Sequence, residues 1–361
     1  MSEALLHRTL THLKALVAFD TQNPPRRIGT DGIFDYLQAQ LPGFACTVTD
    51  LGAGAVSLLA IRGKPSTLFN VHLDTVPVAP GWSQDPHVLT IHSDRAVGLG
   101  ACDIKGAAAA LLAAAEVSTG DAAFLFSSDE EANDARCIAA FLASDHGFTD
   151  VIVSEPTGCE AVLAHRGISA AMVRFTGTSG HASKISDPMQ SAVHQALRWG
   201  NAALDLAAGQ SHHRFGGLTG MPFNIGKVEG GIKANMIAAA AELRLGFRPL
   251  PTQSANELHA AFAALLPGID YEITFSGPPL PAGDTAQAEQ RRLQARDFAE
   301  GLNLPIGHAV DFWTEAALFS QAGLNAIVFG PGDIAQAHSA DEWVALSQLQ
   351  KAVDHYISIL E

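Results

Sequence analysis

Two side chains of types that bind metals stand at the end of an apolar stretch, in Leu68-Phe-Asn-Val-His-Leu-Asp-Thr-Val-Pro77. Side chains two positions apart on a β-strand share a face, so His72 and Asp74 are predicted to lie side by side where the strand ends. A neutral imidazole binds a divalent cation through one nitrogen, and a carboxylate commonly orients its other N–H group. His72 is therefore a candidate metal ligand and Asp74 a candidate for orienting it, although a solvated pair has the same sequence.

Further acidic or histidine residues follow other apolar runs or glycine turns. These candidates are Asp103, Glu130, Glu131, Glu155 and His338. Each is ambiguous alone, because Asp103 is equally consistent with a helix N-cap and the three adjacent acids at 129–131 are either solvated or gathered around cations. Their occurrence at successive strand ends of one predicted domain indicates a shared site.

Such a set has the composition of a two-metal hydrolytic centre. In such a centre, each ion is bound by one imidazole and one carboxylate, and another carboxylate is shared between the two ions. The ions lie about 3.5–4 Å apart and polarise a carbonyl group. Nitrogen and oxygen ligands without thiolates favour zinc, cobalt or manganese, and the ligand types do not separate these three. A carboxylate that does not bind metal must serve as general base, and spacing alone does not distinguish Glu130 from Glu131 in this role.

Composition argues against several classes of protein. The chain has 361 residues, 47% of them hydrophobic and 16% charged, so it is predicted to be globular with two domains. Its formal net charge of −15 repels nucleic-acid phosphates and anionic membranes, and neither is expected as a partner. No stretch resembles a signal peptide or a membrane-spanning helix, and the four cysteines lack a Cys-x-x-Cys spacing, so a cytoplasmic location is expected.

Strands alternate with helices through the first part of the chain. The predicted helices cover residues 3–19, 31–41, 106–115 and 135–144. The predicted strands cover residues 44–50, 55–62, 67–72, 122–127 and 150–154. Near-continuous apolar strands that alternate with helices indicate an α/β domain with a largely parallel central sheet, whose active site lies at the strand ends.

The pattern changes after about residue 165. Strand and helix signals then follow in the order β-α-β-β-α-β, over residues 173–176, 188–206, 223–228, 242–247, 254–266 and 271–275. This order is the ferredoxin-like plan of a small α+β sandwich. The α/β character returns with predicted elements at 285–300, 326–329 and from about 346. The predicted catalytic domain therefore comprises residues 1–165 and 281–361, with residues 166–280 inserted as a separate domain.

The order of these motifs resembles a family of metal-dependent deacylases and exopeptidases that includes acetylornithine deacetylase, succinyl-diaminopimelate desuccinylase and glutamate-releasing carboxypeptidases. The matching segments are Asn70-Val-His72-Leu-Asp74-Thr-Val-Pro, Gly98-Leu-Gly-Ala-Cys-Asp103-Ile-Lys-Gly, Ser128-Asp-Glu130-Glu131, Ser154-Glu155-Pro-Thr, Gly180-His181-Ala-Ser and Ala337-His338-Ser. The resemblance implies a metallopeptidase-type catalytic domain, and an inserted lid and dimerisation domain through which two copies form a homodimer.

The resemblance also implies two divalent metal ions, Zn²⁺ or Co²⁺, and their ligands. It makes His72, Asp103 and Glu155 the ligands of one metal. It makes Asp103, Glu131 and His338 the ligands of the other, with Asp103 as the bridge.

Catalytic and substrate-binding roles follow from the same resemblance. It makes Glu130 the general base and Asp74 the residue that orients the histidine ligand at position 72. In the inserted domain, it makes His181 the residue that stabilises the oxyanion. Asn235 and Arg248 match positions that hold the substrate carboxylate, which agrees with the pairing of amide and guanidinium groups with carboxylates.

The expected substrate is a small-molecule N-acetyl amino acid, and three further segments of the sequence indicate which one. Residues 161–169, 215–220 and 332–338 resemble family members that deacetylate an intermediate of arginine biosynthesis. N-acetyl-L-citrulline is the expected substrate, and the alternatives are N-acetyl-L-ornithine, a dipeptide, or a non-catalytic metal-dependent binding function. One segment departs from the family: Asp311-Phe-Trp-Thr-Glu315-Ala stands where many relatives carry a Gly-Ser/Thr-Asp turn, so side-chain recognition by that turn is not transferable.

Overall fold

The structure, a computed structural model, describes residues 2–132 and 134–361. The chain forms two compact units. Unit 1 contains the chain up to Leu163, Arg291–Gly307 and Thr314–Glu361, and unit 2 contains Ala164–Gln290 and His308–Trp313. Each unit buries a hydrophobic core of its own. Residues 281–290 and 308–313 fall in unit 2, whereas the sequence places the end of the insertion at residue 280.

The first part of unit 1 contains most of the predicted helices and strands. Its helices are α1 (Ser2–Val17), α2 (Ile33–Gln40), α3 (Lys105–Val117) and α4 (Arg136–Leu142). Its strands are β1 (Ala45–Asp50), β2 (Val56–Arg62), β3 (Thr67–His72), β4 (Thr90–His92), β5 (Arg95–Val97), β6 (Ala122–Ser127) and β7 (Asp150–Val153). The sequence does not predict β4 and β5, because both are three residues long and β4 has no buried residue.

Unit 2 is built on a four-stranded antiparallel sheet. Its strands are β8 (Ile168–Thr176), β9 (Gly180–His181), β10 (Arg214–Phe215), β11 (Leu218–Thr219), β12 (Phe223–Gly230), β13 (Met236–Ile237), β14 (Ala240–Phe247) and β15 (Asp270–Gly277). Its helices are α5 (Ala192–Gly209) and α6 (Ala255–Ala264). The sheet order is β12-β14-β8-β15, and every neighbouring pair is antiparallel. With α5 and α6 between strands, this is the predicted β-α-β-β-α-β arrangement.

The chain returns to unit 1 within a helix and then completes the central sheet. The remaining elements are α7 (Ala288–Gly301), α8 (Ala316–Gln321), β16 (Asn325–Val328), β17 (Trp343–Ala345) and α9 (Leu346–Leu360). The six-stranded sheet of unit 1 has the order β1-β2-β6-β3-β7-β16. The neighbouring strands β6, β3, β7 and β16 are parallel to one another. Strand β2 is antiparallel to both of its neighbours, β1 and β6. The predicted α/β class with a largely parallel core is confirmed.

Helix α3 lies at the centre of the core of unit 1. It is buried from Lys105 to Ala115, and its alanines let α1 and α9 pack closely against it. The helix has 13 residues, which at about 1.5 Å per residue is roughly two thirds of a bilayer core. Among the helices of residues 2–132 and 134–361, none has both the length and the hydropathy that crossing a membrane requires.

Candidate metal centre

The candidate ligands of unit 1 meet at one edge of its central sheet. Parallel neighbours β6, β3 and β7 present their carboxyl ends there, and residues that follow such strands in α/β sheets converge on one crevice. The turn before α3 and the loop after β16 reach the same edge. The residues brought together in this way are His72, Asp103, Glu131, Glu155 and His338.

His72 is held at the end of β3 with its two ring nitrogens in different surroundings. Nδ1 donates to the main-chain oxygen of Asp74 at 2.9 Å, and the Asp74 carboxylate lies 3.5 Å from the same nitrogen. Nε2 lies 2.9 Å from Oδ1 of Asp103 and 3.6 Å from Oε1 of Glu155. A nitrogen and oxygens at this spacing share either a proton or a cation, so Nε2 faces the side where a metal would bind.

The second histidine approaches the other oxygen of Asp103. Nε2 of His338 lies 3.2 Å from Asp103 Oδ2 and 3.1 Å from Glu131 Oε1. His338 has a φ of 57°, in the left-handed region that non-glycine residues rarely adopt. Ligand atoms of His72, Asp103 and Glu131 all lie within 4.8 Å of one another. The two oxygens of Asp103 therefore face two different histidines, as a bridging carboxylate requires.

The charges of this cluster attract cations. Burial, together with the charges of Glu155 and Glu131, raises the pKa of Glu130 well above its ordinary value. Burial opposes protonation of His72, but the nearby Glu155 and Asp103 carboxylates raise its pKa well above the ordinary value. Buried carboxylates that repel one another are stabilised by a divalent ion, and these nitrogen and oxygen donors fit zinc, cobalt or manganese.

Only two of the three adjacent acids face the cluster. Oδ2 of Asp129 accepts the main-chain N–H of Cys137 at 2.9 Å, in the first turn of α4. Burial raises the pKa of Asp129 to about 6. Glu131 contacts His338, and the half-buried Glu130 lies near enough to His72 and Glu155 for their charges to affect its pKa.

Asn23 also contacts the site, although its sequence context predicts no such role. Its side-chain amide is 1% exposed and donates to Oδ2 of Asp74 at 2.9 Å. The same oxygen accepts the main-chain N–H of Glu131 at 3.0 Å. Asp74 thus links the end of β3 to the segment after β6. In the sequence, Asn23-Pro-Pro predicts only a break after the first helix.

Glu315, in the segment that departs from the family pattern, is a buried acid of the same unit. One of its oxygens accepts from Oγ of Ser127 at 3.3 Å, and Oε1 has no hydrogen-bond partner within the described residues. Burial and the charge of Asp129 raise the pKa of Glu315 to about 8. It lies close enough to His72 and Asp74 for their charges to affect its pKa, so the altered turn contributes a carboxyl group near the candidate metal centre.

The three candidate residues of unit 2 occupy two different ends of its sheet. His181 pairs with Met236 between β9 and β13, and the main-chain N–H of Ala182 donates to the oxygen of Asn235 at 2.9 Å. These segments adjoin the Ala240 end of β14. Arg248 follows the opposite end of that strand, and burial lowers the pKa of its guanidinium.

The family of the chain follows from its sequence as a whole. A family model described as "Peptidase family M20/M25/M40" matches residues 68–361. The chain belongs to this family. This result confirms the family expected from the motif order, and it makes the protein a metallohydrolase.

Individual relatives agree with this membership. N-acetyl-L-citrulline deacetylase of Xanthomonas campestris pv. campestris is 64% identical over 353 residues, which cover 97% of this chain and 96% of that protein. Acetylornithine deacetylase of Vibrio atlanticus is 30% identical over 336 residues, 86% of this chain and 85% of that protein. Among solved structures, aminopeptidase PepT from Bacillus cereus matches with a TM-score of 0.73 at 19% identity and covers 98% of both chains, which shows a shared fold.

Proposed function

We propose that this protein hydrolyses the acetyl amide of N-acetyl-L-citrulline to L-citrulline and acetate, as a step of arginine biosynthesis in the cytoplasm. The observation that carries the proposal is the 64% identity, over almost the whole chain, with a deacetylase named for this compound. The convergence of all five candidate ligands at one sheet edge supports a catalytic function and argues against a metal-dependent binding protein.

Two divalent ions, Zn²⁺ or Co²⁺, belong to the proposal. His72 and Glu155 would hold one ion and Glu131 and His338 the other, with Asp103 between them. When bound, such ions polarise the amide carbonyl and lower the pKa of water. The position of one Asp103 oxygen beside each histidine supports this division of ligands.

Glu130 is the proposed general base. Its carboxylate takes a proton from the attacking water as the oxygen bonds to the amide carbon. It returns the proton to the nitrogen as the C–N bond breaks, which releases acetate and the free amine. The position of Glu130, close enough to His72 and Glu155 for their charges to act on it, supports this role, because a general base must lie within reach of the water that it deprotonates. His181 is the proposed donor to the oxyanion.

Arg248 and Asn235 are proposed to bind the substrate carboxylate. The proposal also includes a homodimer that forms through unit 2. Strand β14 separates Arg248 from Asn235 and His181, and the steps between its eight residues, at about 3.4 Å each, add up to about 24 Å. One N-acetyl amino acid is too short to contact both ends. Arg248 of one copy and His181 and Asn235 of a second copy would complete each site.

Exposed apolar side chains on the β12 edge of unit 2 support this dimer. Strand β12 is at the edge of its sheet, where main-chain groups are free to pair with another chain. Val228 is 61% exposed on this strand, and Ile232, just after it, is 80% exposed. Apolar residues on an open strand edge are typical of an interface between copies.

The activity itself is tested by kcat/KM on N-acetyl-L-citrulline and N-acetyl-L-ornithine, side by side, with Co²⁺-loaded protein. We expect a preference for the citrulline derivative of about tenfold or more, because a pocket for a neutral ureido group leaves an ammonium group without its charge partner. A chelator should stop acetate release, and Zn²⁺ or Co²⁺ should restore it. Preference for the ornithine derivative would change the substrate, and hydrolysis only of dipeptides would replace the deacetylase assignment.

The shared site predicts complementation between inactive variants. Arg248→Ala and His181→Ala should each lose most activity, because charged hydrogen bonds to substrate and oxyanion contribute a few kcal/mol each. When the two variants are unfolded and refolded together, half of the dimers pair unlike chains and each has one intact site, so about one quarter of wild-type activity should return. Each variant refolded alone is the control. Activity that stays at the level of the single variants would contradict a site shared between copies.

A further inference from the structure

We infer that Glu342 is a positioning residue for the candidate metal centre, because its carboxylate holds the turn that carries Asp103 against the segment that carries His338. Neither the family resemblance nor the strand-end pattern assigns a role to this residue. The inference rests on the proposed function, since Asp103 and His338 are the proposed ligands of one metal ion.

The carboxylate of Glu342 binds three main-chain N–H groups of one turn. Oε1 accepts from Cys102 at 2.9 Å and from Asp103 at 3.0 Å, and Oε2 accepts from Gly100 at 3.0 Å. The residue is 2% exposed, so water does not compete for these bonds. Hydrogen bonds to a carboxylate are stronger than those to neutral acceptors, and two of these three come from Asp103 itself and from the residue before it.

The main chain of Glu342 is tied to the same region. Its carbonyl oxygen accepts the N–H of Gly98 at 3.0 Å, and the next residue, Trp343, pairs with Val97 between β17 and β5. The turn therefore cannot shift without breaking both side-chain and main-chain bonds. Gly100 has a φ of 76°, and a Cβ there would lie 2.7 Å from Thr75, so this turn requires glycine at position 100.

The segment on the other side of Glu342 is anchored as well. Asp341 accepts from the main-chain N–H of Ser83 at 2.9 Å and from its hydroxyl at 3.0 Å. His338 lies four residues before Glu342, and its Nε2 is 3.2 Å from Asp103 Oδ2. Glu342 thus joins two ligand-bearing segments that are 235 residues apart in sequence, and it defines the separation of two ligands of one ion.

The separation of the ligands controls metal affinity. A purely structural role of Glu342 would have no effect on that affinity. Partners of metal ligands outside the coordination shell commonly change affinity by about 10–100-fold. If Glu342 served only the stability of unit 1, its replacement would lower the melting temperature and leave metal affinity unchanged. If it positions Asp103, affinity and the coordination geometry of the bound ion should change together.

The test uses Glu342→Gln in the full-length chain. Glutamine has the same shape but only one acceptor oxygen, so its NH₂ group must face either the N–H of Gly100 or the N–H groups of Cys102 and Asp103. We expect isothermal titration of chelator-treated protein with Co²⁺ to show at least about tenfold weaker binding at one of the two sites. The visible absorption of bound Co²⁺ should also change.

Leu360→Ala is the matched control for stability. Leu360 is buried in the core of unit 1, near the start of β3 and so at the sheet edge opposite the ligands. The control should lower the melting temperature but leave Co²⁺ affinity and absorption at wild-type values. Glu342→Asp retains the charge without the reach and should give an intermediate loss of affinity, which keeps the inference testable if Glu342→Gln does not fold.

The outcomes separate this inference from the proposed function. Wild-type protein that binds no Co²⁺ would overturn the proposed metal centre itself. Wild-type protein that binds two ions, beside Glu342 variants with unchanged affinity and absorption, would leave the function intact and overturn the positioning role. Weaker Co²⁺ binding in the Glu342 variants, with wild-type binding in Leu360→Ala, would support it.

Discussion

Glu130→Gln is expected to lower kcat by about 10²–10⁴-fold, the contribution typical of a positioned general base. Glutamine keeps the size of the side chain but cannot accept a proton from water. Because Glu130 is not a proposed ligand, the variant should keep two metal ions for each chain. Steady-state kinetics on N-acetyl-L-citrulline, with metal content measured on the same sample, tests both parts of the prediction.

The adjacent acids provide matched controls for this experiment. Asp129→Asn should retain most activity, because Asp129 binds the main chain of Cys137 and does not contact the cluster. Glu131→Gln should instead lose metal, since Glu131 contacts His338. If Glu131→Gln kept both ions and Glu130→Gln lost one, the roles of these two residues would be exchanged. Near-normal turnover by metal-loaded Glu130→Gln would remove it from catalysis.

Asp103→Asn is also expected to have a large effect on activity. The variant should lose both metal ions at ordinary metal concentrations. The oxygens of Asp103 contact both histidines of the cluster, so one substitution removes negative charge from both proposed metal positions. We expect kcat/KM to fall by at least about 10³-fold, which corresponds to about 4 kcal/mol of transition-state stabilisation. Metal analysis after gel filtration and kinetics at added Zn²⁺ are the measurements.

Glu155→Gln distinguishes a bridging ligand from a terminal one. Glu155 lies near His72, and it is the proposed ligand of one ion only. This variant should keep about one metal ion for each chain, whereas Asp103→Asn should keep fewer. Equal metal content in the two variants would contradict the bridging position of Asp103.

The candidate metal ligands were predicted from local sequence. His72, Glu131 and Glu155 each follow an apolar run, because a parallel strand buried on both faces is apolar until it reaches the site. Residue type then restricts the chemistry, since imidazole and carboxylate groups suit only a few metals. The family resemblance supplied the roles that spacing left open, including the choice between Glu130 and Glu131.

The geometry of the cluster depends on strand order, which local sequence does not contain. In the sheet, β6 lies beside β3 and β3 lies beside β7. In the sequence, however, β4 and β5 lie between β3 and β6. This order puts the residues after three separate strands at one edge. It also sets which two acids of 129–131 face the site and which one binds α4.

Asn23 and Glu342 show the same limit at single residues. Asn23 contacts Asp74 across 51 positions of sequence, and Glu342 contacts Asp103 across 239. Neither residue lies in a local pattern that predicts its partner. A buried polar group needs a hydrogen bond, but the local sequence does not specify which distant group forms it. Residue types and their spacing were sufficient to predict a metallohydrolase, whereas the folded chain selects the side chains that hold its ligands in place.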